Sequence, residues 1–443
     1  MAGRTMRAAV LEGVGQVTLQ KRPVPLPGPG EVLVQVAAVG TCGSDVHYYE
    51  HGRIGGFVVE SPLVLGHEPS GVVVAAGPGA DRHEPGQRVS IEPGVPDFTC
   101  QYCRAGRYNL CPRMRFFGTP PIDGAFCEYV AVHEEFAYPL PASLSDDAAA
   151  LVEPLSVGVW ACRKARVGPG SRVLVAGAGP IGLVCLQAAK AFGATYVAVT
   201  DVNPRRLAFA RELGASEVVN VGETSLADAV IEPDVLLECS GNPAATGAAI
   251  RAVRRAGRMV LVGMGGDEIP LPLAYVQTRE LEVTGTFRYA NTWPDAIALV
   301  ASGRVDLDAL VTGHYGLADV EQALTAGARD PDSVKVVVTP QRGPRRCQRA
   351  AAAWAGRAPC AAYRAVSRPR QRAGPIADTA LSAVAQRGCG CSIPANSRWR
   401  PASTLPRPAR SPRCRSTTPS GRPRPPYPKG CCGRPRVAEL DPV

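Results

Sequence analysis

The spacing of apolar and polar positions changes twice along this chain, and those changes mark its organisation. From Met6 to about Leu151 the apolar runs are short, rich in β-branched residues and broken by Gly and Pro, as in EVLVQVAAVG at 31–40, GVVVAAG at 71–77 and QRVSIEPG at 87–94. That punctuation predicts antiparallel strands in a barrel-like arrangement. Near Glu153 a helical stretch leads into SRVLVAGAGPIGLVCLQAAKAFGATYVAVTD at 171–201, which reads as strand, Gly-rich turn, helix, strand. Such a βαβ unit predicts a parallel sheet, since parallel neighbours need a crossover. The alternation continues through DVLLECSG at 234–241 and GRMVLVGMGG at 257–266 to LEVTGTFRY at 281–289. A short, helix-rich return then reaches the strand VKVVVTP, which ends at Pro340. No internal repeat is visible.

Beyond Pro340 the periodicity stops. The segment has 16 prolines among 103 residues, with much Arg, Ser and Cys, so it buries too little apolar surface to offset its ordering entropy. Residues 341–443 also hold 21 of the 49 Lys and Arg but 3 of the 39 Asp and Glu, giving 21 − 3 = +18. The rest carries 28 − 36 = −8, so the basic balance describes a tail and not the body. The tail is expected to be disordered and has the composition of GC-rich DNA translated in a wrong frame. If genuine, such a segment suits non-specific contact with nucleic acid or an acidic surface. The first twenty residues lack an apolar export stretch and no run is long enough to cross a bilayer, so a soluble, cytoplasmic protein is expected. Of the 15 cysteines, eight are spread over the body and seven lie in the tail, which favours thiols or metal ligands over disulfides.

The motif GAGPIG, Gly177 to Gly182, follows the strand RVLVA and opens a helix. Gly177 and Gly179 permit a tight turn and close approach of a pyrophosphate to the helix N-terminus, and Gly182 lets helix and strand pack closely. Asp201 ends the next strand 19 residues after Gly182. An acidic side chain there accepts hydrogen bonds from a ribose and repels a 2′-phosphate, which predicts NAD in preference to NADP. Arg206 follows, placed either to meet a phosphate or to cover the adenine.

In the first part, TCGSDVHYY at 41–49 and LGHEPSG at 65–71 supply Cys42, His67 and Glu68. Thiolate and imidazole are good zinc ligands, and Glu68 adds an oxygen ligand or an orienting carboxylate.

Together, Cys42 lying 25 positions before His67, the GHE motif with its spaced glycines, and GAGPIG with its downstream Asp resemble the zinc-containing medium-chain dehydrogenases over almost all of residues 6–340. Two segments are similar to the sorbitol and xylitol dehydrogenase branch. VEPLSVG at 152–158 has Glu153 where ordinary alcohol dehydrogenases have a cysteine ligand, and GTFRYANTWP at 285–294 is like the polyol enzymes' substrate and cofactor segment.

The resemblance implies an α/β fold: a doubly wound Rossmann sheet over 153–286, and a β-rich, GroES-like catalytic domain over 1–152 that 287–340 completes. It implies a catalytic zinc on Cys42, His67 and a Glu68 or Glu153 carboxylate, with Ser44 and His47 relaying the alcohol proton. Tyr48, Glu153, Arg288 and Tyr289 are the expected polyol contacts. The expected cofactor contacts are Gly177, Gly179, Pro180, Ile181, Gly182, Asp201, Arg206, Val262, Gly263, Met264, Thr286, Phe287 and Arg288. The other reading of Arg288 is a domain-spanning salt bridge.

Family members with a structural zinc carry four cysteines spaced C-x2-C-x2-C-x7-C, and this chain has Asp97, Cys100, Cys103 and Cys111 at those positions. Three thiolates and a carboxylate make a second candidate site. Cys127, Cys162, Cys185 and Cys239 read as packing residues. The family implies a homo-oligomer, dimer or tetramer, with a small polyol as substrate. Rival readings are a related zinc dehydrogenase for threonine or a vicinal diol, and an inactive scaffold or binding protein using the basic tail.

Overall fold

The computed structural model describes residues 3–341, apart from 230 and 267. The expectations for the tail therefore fall, except at Gln341, outside the described residues.

The β-rich part is organised on the strand Glu31–Gly40. It is apolar on both faces, with Val32, Leu33, Val34, Val36, Ala38 and Val39 fully buried. Glu68–Ala76, Tyr129–His133 and Lys335–Val338 all pair with it antiparallel, and the sheet has seven strands in all. One pair departs from the antiparallel expectation. Val311–Tyr315 runs parallel to Lys335–Val338, because the short helices Val320–Leu324 and Ala326–Arg329 provide the crossover. The register sets Gly40 opposite Glu68 on one side and Val337 on the other, which brings two distant stretches of chain to one point.

The second sheet has six parallel strands in the order Glu217–Asn220, Tyr196–Asp201, Arg172–Ala176, Val235–Glu238, Arg258–Leu261, Glu282–Gly285. This is the doubly wound arrangement of dinucleotide-binding sheets, whose ligands sit where the strand order reverses. Here the reversal falls between Arg172–Ala176 and Val235–Glu238. The helix Val152–Ala165, with Glu153 in its first turn, packs closely on Pro180–Ala191. A Cβ at Gly158 would lie 3.1 Å from the Val184 carbonyl, so this crossing depends on the glycine.

Only the first part of LEVTGTFRY is strand. The chain leaves the sheet after Gly285, and Arg288 and Asn291 take φ of 51° and 55°, which no continuing strand accommodates. Among the described residues, no helix is long and apolar enough to cross a membrane.

Candidate active site

The helix Gly43–His51 starts immediately after Cys42, and the strand Glu68–Ala76 starts immediately after His67. Ligand atoms of Cys42, His67 and Glu68 lie within 4.8 Å of one another. Glu153 stands outside that closest set. It is buried nearby, and its carboxyl accepts the Tyr289 hydroxyl at 2.5 Å.

Two further residues complete this arrangement, and the sequence reading passed over both. Asp45 is fully buried, with one oxygen accepting Gly66 N–H at 3.0 Å and lying 3.4 Å from His67 Nδ1. Its other oxygen accepts Cys42 N–H at 3.0 Å. One carboxylate thereby fixes the backbone beside both residues and the ring of one. Lys335 is the second. Its ammonium reaches Glu68 Oε1 at 2.5 Å and the Thr41 carbonyl at 2.6 Å. The space for this pair exists because residue 40 is glycine: a Cβ there would sit 1.9 Å from Glu68 Oε2.

The donor set fits a zinc ion. A thiol, an imidazole and a carboxylate converge, and Glu68 Oε2 is a buried oxygen with no hydrogen-bond partner. Burial pushes the Glu153 carboxyl up to about 7, against the attraction of His67; Glu68 adds to the rise, and Tyr289 and Lys335 oppose it. Tyr48 is buried and near His67 and Arg288, and its hydroxyl is raised by burial despite a hydrogen bond from Thr119. Arg288 makes no ion pair among the described residues. Its guanidinium stacks over Phe116, 3.8 Å from the ring centroid, and over Phe287 at 4.8 Å. Ser44 is half-buried, while His47 is exposed with its ring against His51.

The dinucleotide cradle is built by close backbone approach. Gly177 takes φ of 100°, and a Cβ on Gly182 would fall 1.8 Å from the Gly177 oxygen. Gly179 caps the helix that begins with Pro180 and Ile181. The Asp201 carboxylate accepts Ala178 N–H at 2.6 Å and Asn203 N–H at 2.8 Å, which ties the end of its strand to the glycine turn. Val262 and Gly263 are half-buried and Met264 exposed, and a Cβ at Gly263 would be 2.4 Å from Gly241 N. Thr286 donates to the Leu261 carbonyl at 3.3 Å, and Arg206 keeps its Nε buried without a partner.

Residues 28–142 match the alcohol dehydrogenase GroES-like domain, and residues 180–302 match the zinc-binding dehydrogenase domain. Sorbitol dehydrogenase of Bacillus subtilis is 42% identical over 347 residues, covering 76% of this chain and 98% of the relative. Sorbitol dehydrogenase of Bos taurus is 47% identical over 325 residues, covering 72% and 90%. The crystal structure of L-idonate 5-dehydrogenase from Escherichia coli superposes with a TM-score of 0.72 at 33% identity, covering 76% of this chain and 98% of that one. This chain belongs to the zinc-binding dehydrogenase family.

A second ligand group of this zinc-binding dehydrogenase lies on the loop from Asp97 to Cys111. Asp97, Cys100, Cys103 and Cys111 also have ligand atoms within 4.8 Å of one another. Asp97 Oδ1 accepts Thr99 N–H at 2.8 Å, Cys100 N–H at 2.9 Å and the Cys103 thiol at 3.4 Å, while Oδ2 accepts Arg113 Nε at 2.6 Å. The Cys100 amide, first among these donors, holds the Asp97 carboxyl well below the usual range. Of the other cysteines, Cys127, Cys162 and Cys185 are buried and Cys239 half-buried, its free thiol hydrogen-bonded to that of Cys185, and none joins a ligand group among the described residues.

Proposed function

We propose that this dehydrogenase oxidises a secondary alcohol of a polyol such as sorbitol or xylitol to the ketose, with Cys42, His67 and Glu68 as the zinc-binding set and Glu153 beside them. The observation that carries the reading is the buried Glu153–Tyr289 hydrogen bond next to that set, with Arg288 close by. A substrate with several hydroxyl groups could use such a row of donors and acceptors, whereas a simple alcohol has a single hydroxyl to offer it.

When bound, zinc would act as a Lewis acid on the alcohol and NAD would take up its hydride. The chain's own residues do the rest. Asp45 orients His67. Lys335 shares the negative charge of Glu68. The alcohol proton leaves through Ser44 to the exposed His47 and then to solvent. Tyr48, Arg288 and Tyr289 bind the remaining hydroxyl groups. The NAD contacts are the cofactor set from Gly177 to Arg288 given above, in which Asp201 favours NAD. Asp97, Cys100, Cys103 and Cys111 form a second, structural zinc site, and a domain division at about 152 and 286 is supported by the separation of the strands into two sheets.

The test is NAD reduction across a panel of pentitols, hexitols, threonine, short diols and simple alcohols, with and without a strong chelator. Chelator-sensitive turnover of a pentitol or hexitol is expected, with two zinc ions per chain by elemental analysis. Turnover of threonine or a diol alone would overturn the substrate class. A single zinc lost together with activity would overturn the second site.

The proposal includes self-association and a cytoplasmic location. Strand Glu282–Gly285 leaves the parallel sheet with an open edge among the described residues, and Met264, Leu271 and Leu273 are exposed in the chain leading to it. Sedimentation equilibrium is expected to give a dimer or tetramer, and a monomer would contradict it.

A further inference from the structure

The chain between Phe287 and Asn291 carries Arg288 and Tyr289, yet it is neither helix nor strand. Two of its five residues hold positive φ without being glycine. Such conformations cost about 1–2 kcal/mol each and persist only where the surroundings impose them.

The surroundings are on the cysteine-bearing loop. Asn109, 4% exposed, donates through Nδ2 to the Phe287 carbonyl at 2.8 Å. The Tyr108 hydroxyl accepts Asn291 N–H at 2.8 Å, and Asn291 Nδ2 donates to the Gly106 carbonyl at 2.9 Å. Tyr108 is itself oriented, because its O–H donates to the buried Glu92 carboxylate at 2.8 Å, leaving its lone pairs for Asn291. Glu92 also accepts the Tyr138 hydroxyl at 3.0 Å. The two ends of the segment are thus held from one side, with Arg288 and Tyr289 between the clamps.

We infer that Asn109 and Tyr108 are positioning residues that set Arg288 and Tyr289 against the substrate, so that the loop carrying Cys100, Cys103 and Cys111 controls polyol recognition from outside the reacting centre. The inference rests on the polyol reading. Asn109 reaches the Phe287 carbonyl as a donor, so Asn109→Asp keeps the shape and turns the contact repulsive. Tyr108→Phe keeps the ring and removes the acceptor.

Each variant is expected to lower kcat/KM for the best polyol by about 10- to 100-fold, mainly through KM, as loss of one or two buried hydrogen bonds would. Combined with Arg288→Ala and Tyr289→Phe together, either change should add less than about threefold, because its effect passes through side chains already removed. Additive losses in these combined variants would overturn the inference and leave the clamp a general structural contact. Unchanged kcat/KM in Tyr108→Phe would overturn it too, even if Asn109→Asp failed to fold. Failure of the polyol reading itself is separately visible as absence of polyol turnover in the wild-type chain.

Discussion

Replacement of Lys335 by Met is expected to lower the free energy of unfolding by about 3–5 kcal/mol, the usual cost of stranding one partner of a buried ion pair. The pair has almost no access to water, with side-chain exposures of 4% for Lys335 and 0% for Glu68. Burial disfavours the ammonium, but Glu68 and Cys42 outweigh it and hold the Lys335 pKa above its ordinary value. In the zinc-free protein the substitution would leave a carboxylate facing an apolar side chain, with its other oxygen also unpartnered, and would free the Thr41 carbonyl. Urea unfolding followed by intrinsic fluorescence would read the loss as a lower midpoint at unchanged slope. With zinc removed from both proteins, adding Glu68→Gln to Lys335→Met should recover much of it, since the stranded charge then disappears. A drop of less than about 1 kcal/mol in the single variant would show that the pair is not a buried ion pair in solution.

The same pair marks where the sequence ceased to be legible. The parallel sheet could be read because strand, glycine turn and helix follow one another locally, and the spacing of GAGPIG to Asp201 belongs to a single βαβ unit. Cys42, His67 and Glu68 could be read because their residue types are chemically conspicuous. Lys335 was not, because it lies 267 positions from Glu68 and looks like one cation in a C-terminal strand. Only the pairing of Glu31–Gly40 with both neighbours, across a glycine, creates the contact. Asp45 lies within the quoted TCGSDVHYY and has a legible signal in hindsight: an acidic residue three positions after the helix cap reaches back to the cap amide. The role of Arg288 was open between substrate contact and salt bridge. It makes no ion pair among the described residues and stacks over Phe116, an arrangement that depends on a positive φ which a single sequence gives no means of assigning to arginine.

His67→Ala is expected to reduce kcat/KM for NAD-linked alcohol oxidation by about three orders of magnitude or more, with loss of the chelator-sensitive zinc. The size follows from the several kcal/mol that a Lewis acid contributes to a transition state with developing oxyanion charge, at about 1.4 kcal/mol per factor of ten. Asp45→Asn offers the sharper test, because it touches no substrate and removes no ligand. Its carboxylate accepts from the amides of Cys42 and Gly66 and meets His67 Nδ1, so every contact it makes is with a proposed ligand or that ligand's neighbour. An amide cannot serve all of them: in either orientation its NH2 group faces a backbone N–H, that of Cys42 or that of Gly66. Outer residues that orient metal ligands typically contribute 10- to 100-fold in metal affinity or activity. Asp45→Asn is therefore expected to weaken zinc retention and kcat/KM together by that factor, and excess zinc should restore part of the activity. If Asp45→Asn held zinc as tightly as the wild type while activity fell, Asp45 would act on the reaction by some route other than His67 and Cys42. If His67→Ala kept more than about a tenth of the activity, the ligand set itself would be wrong.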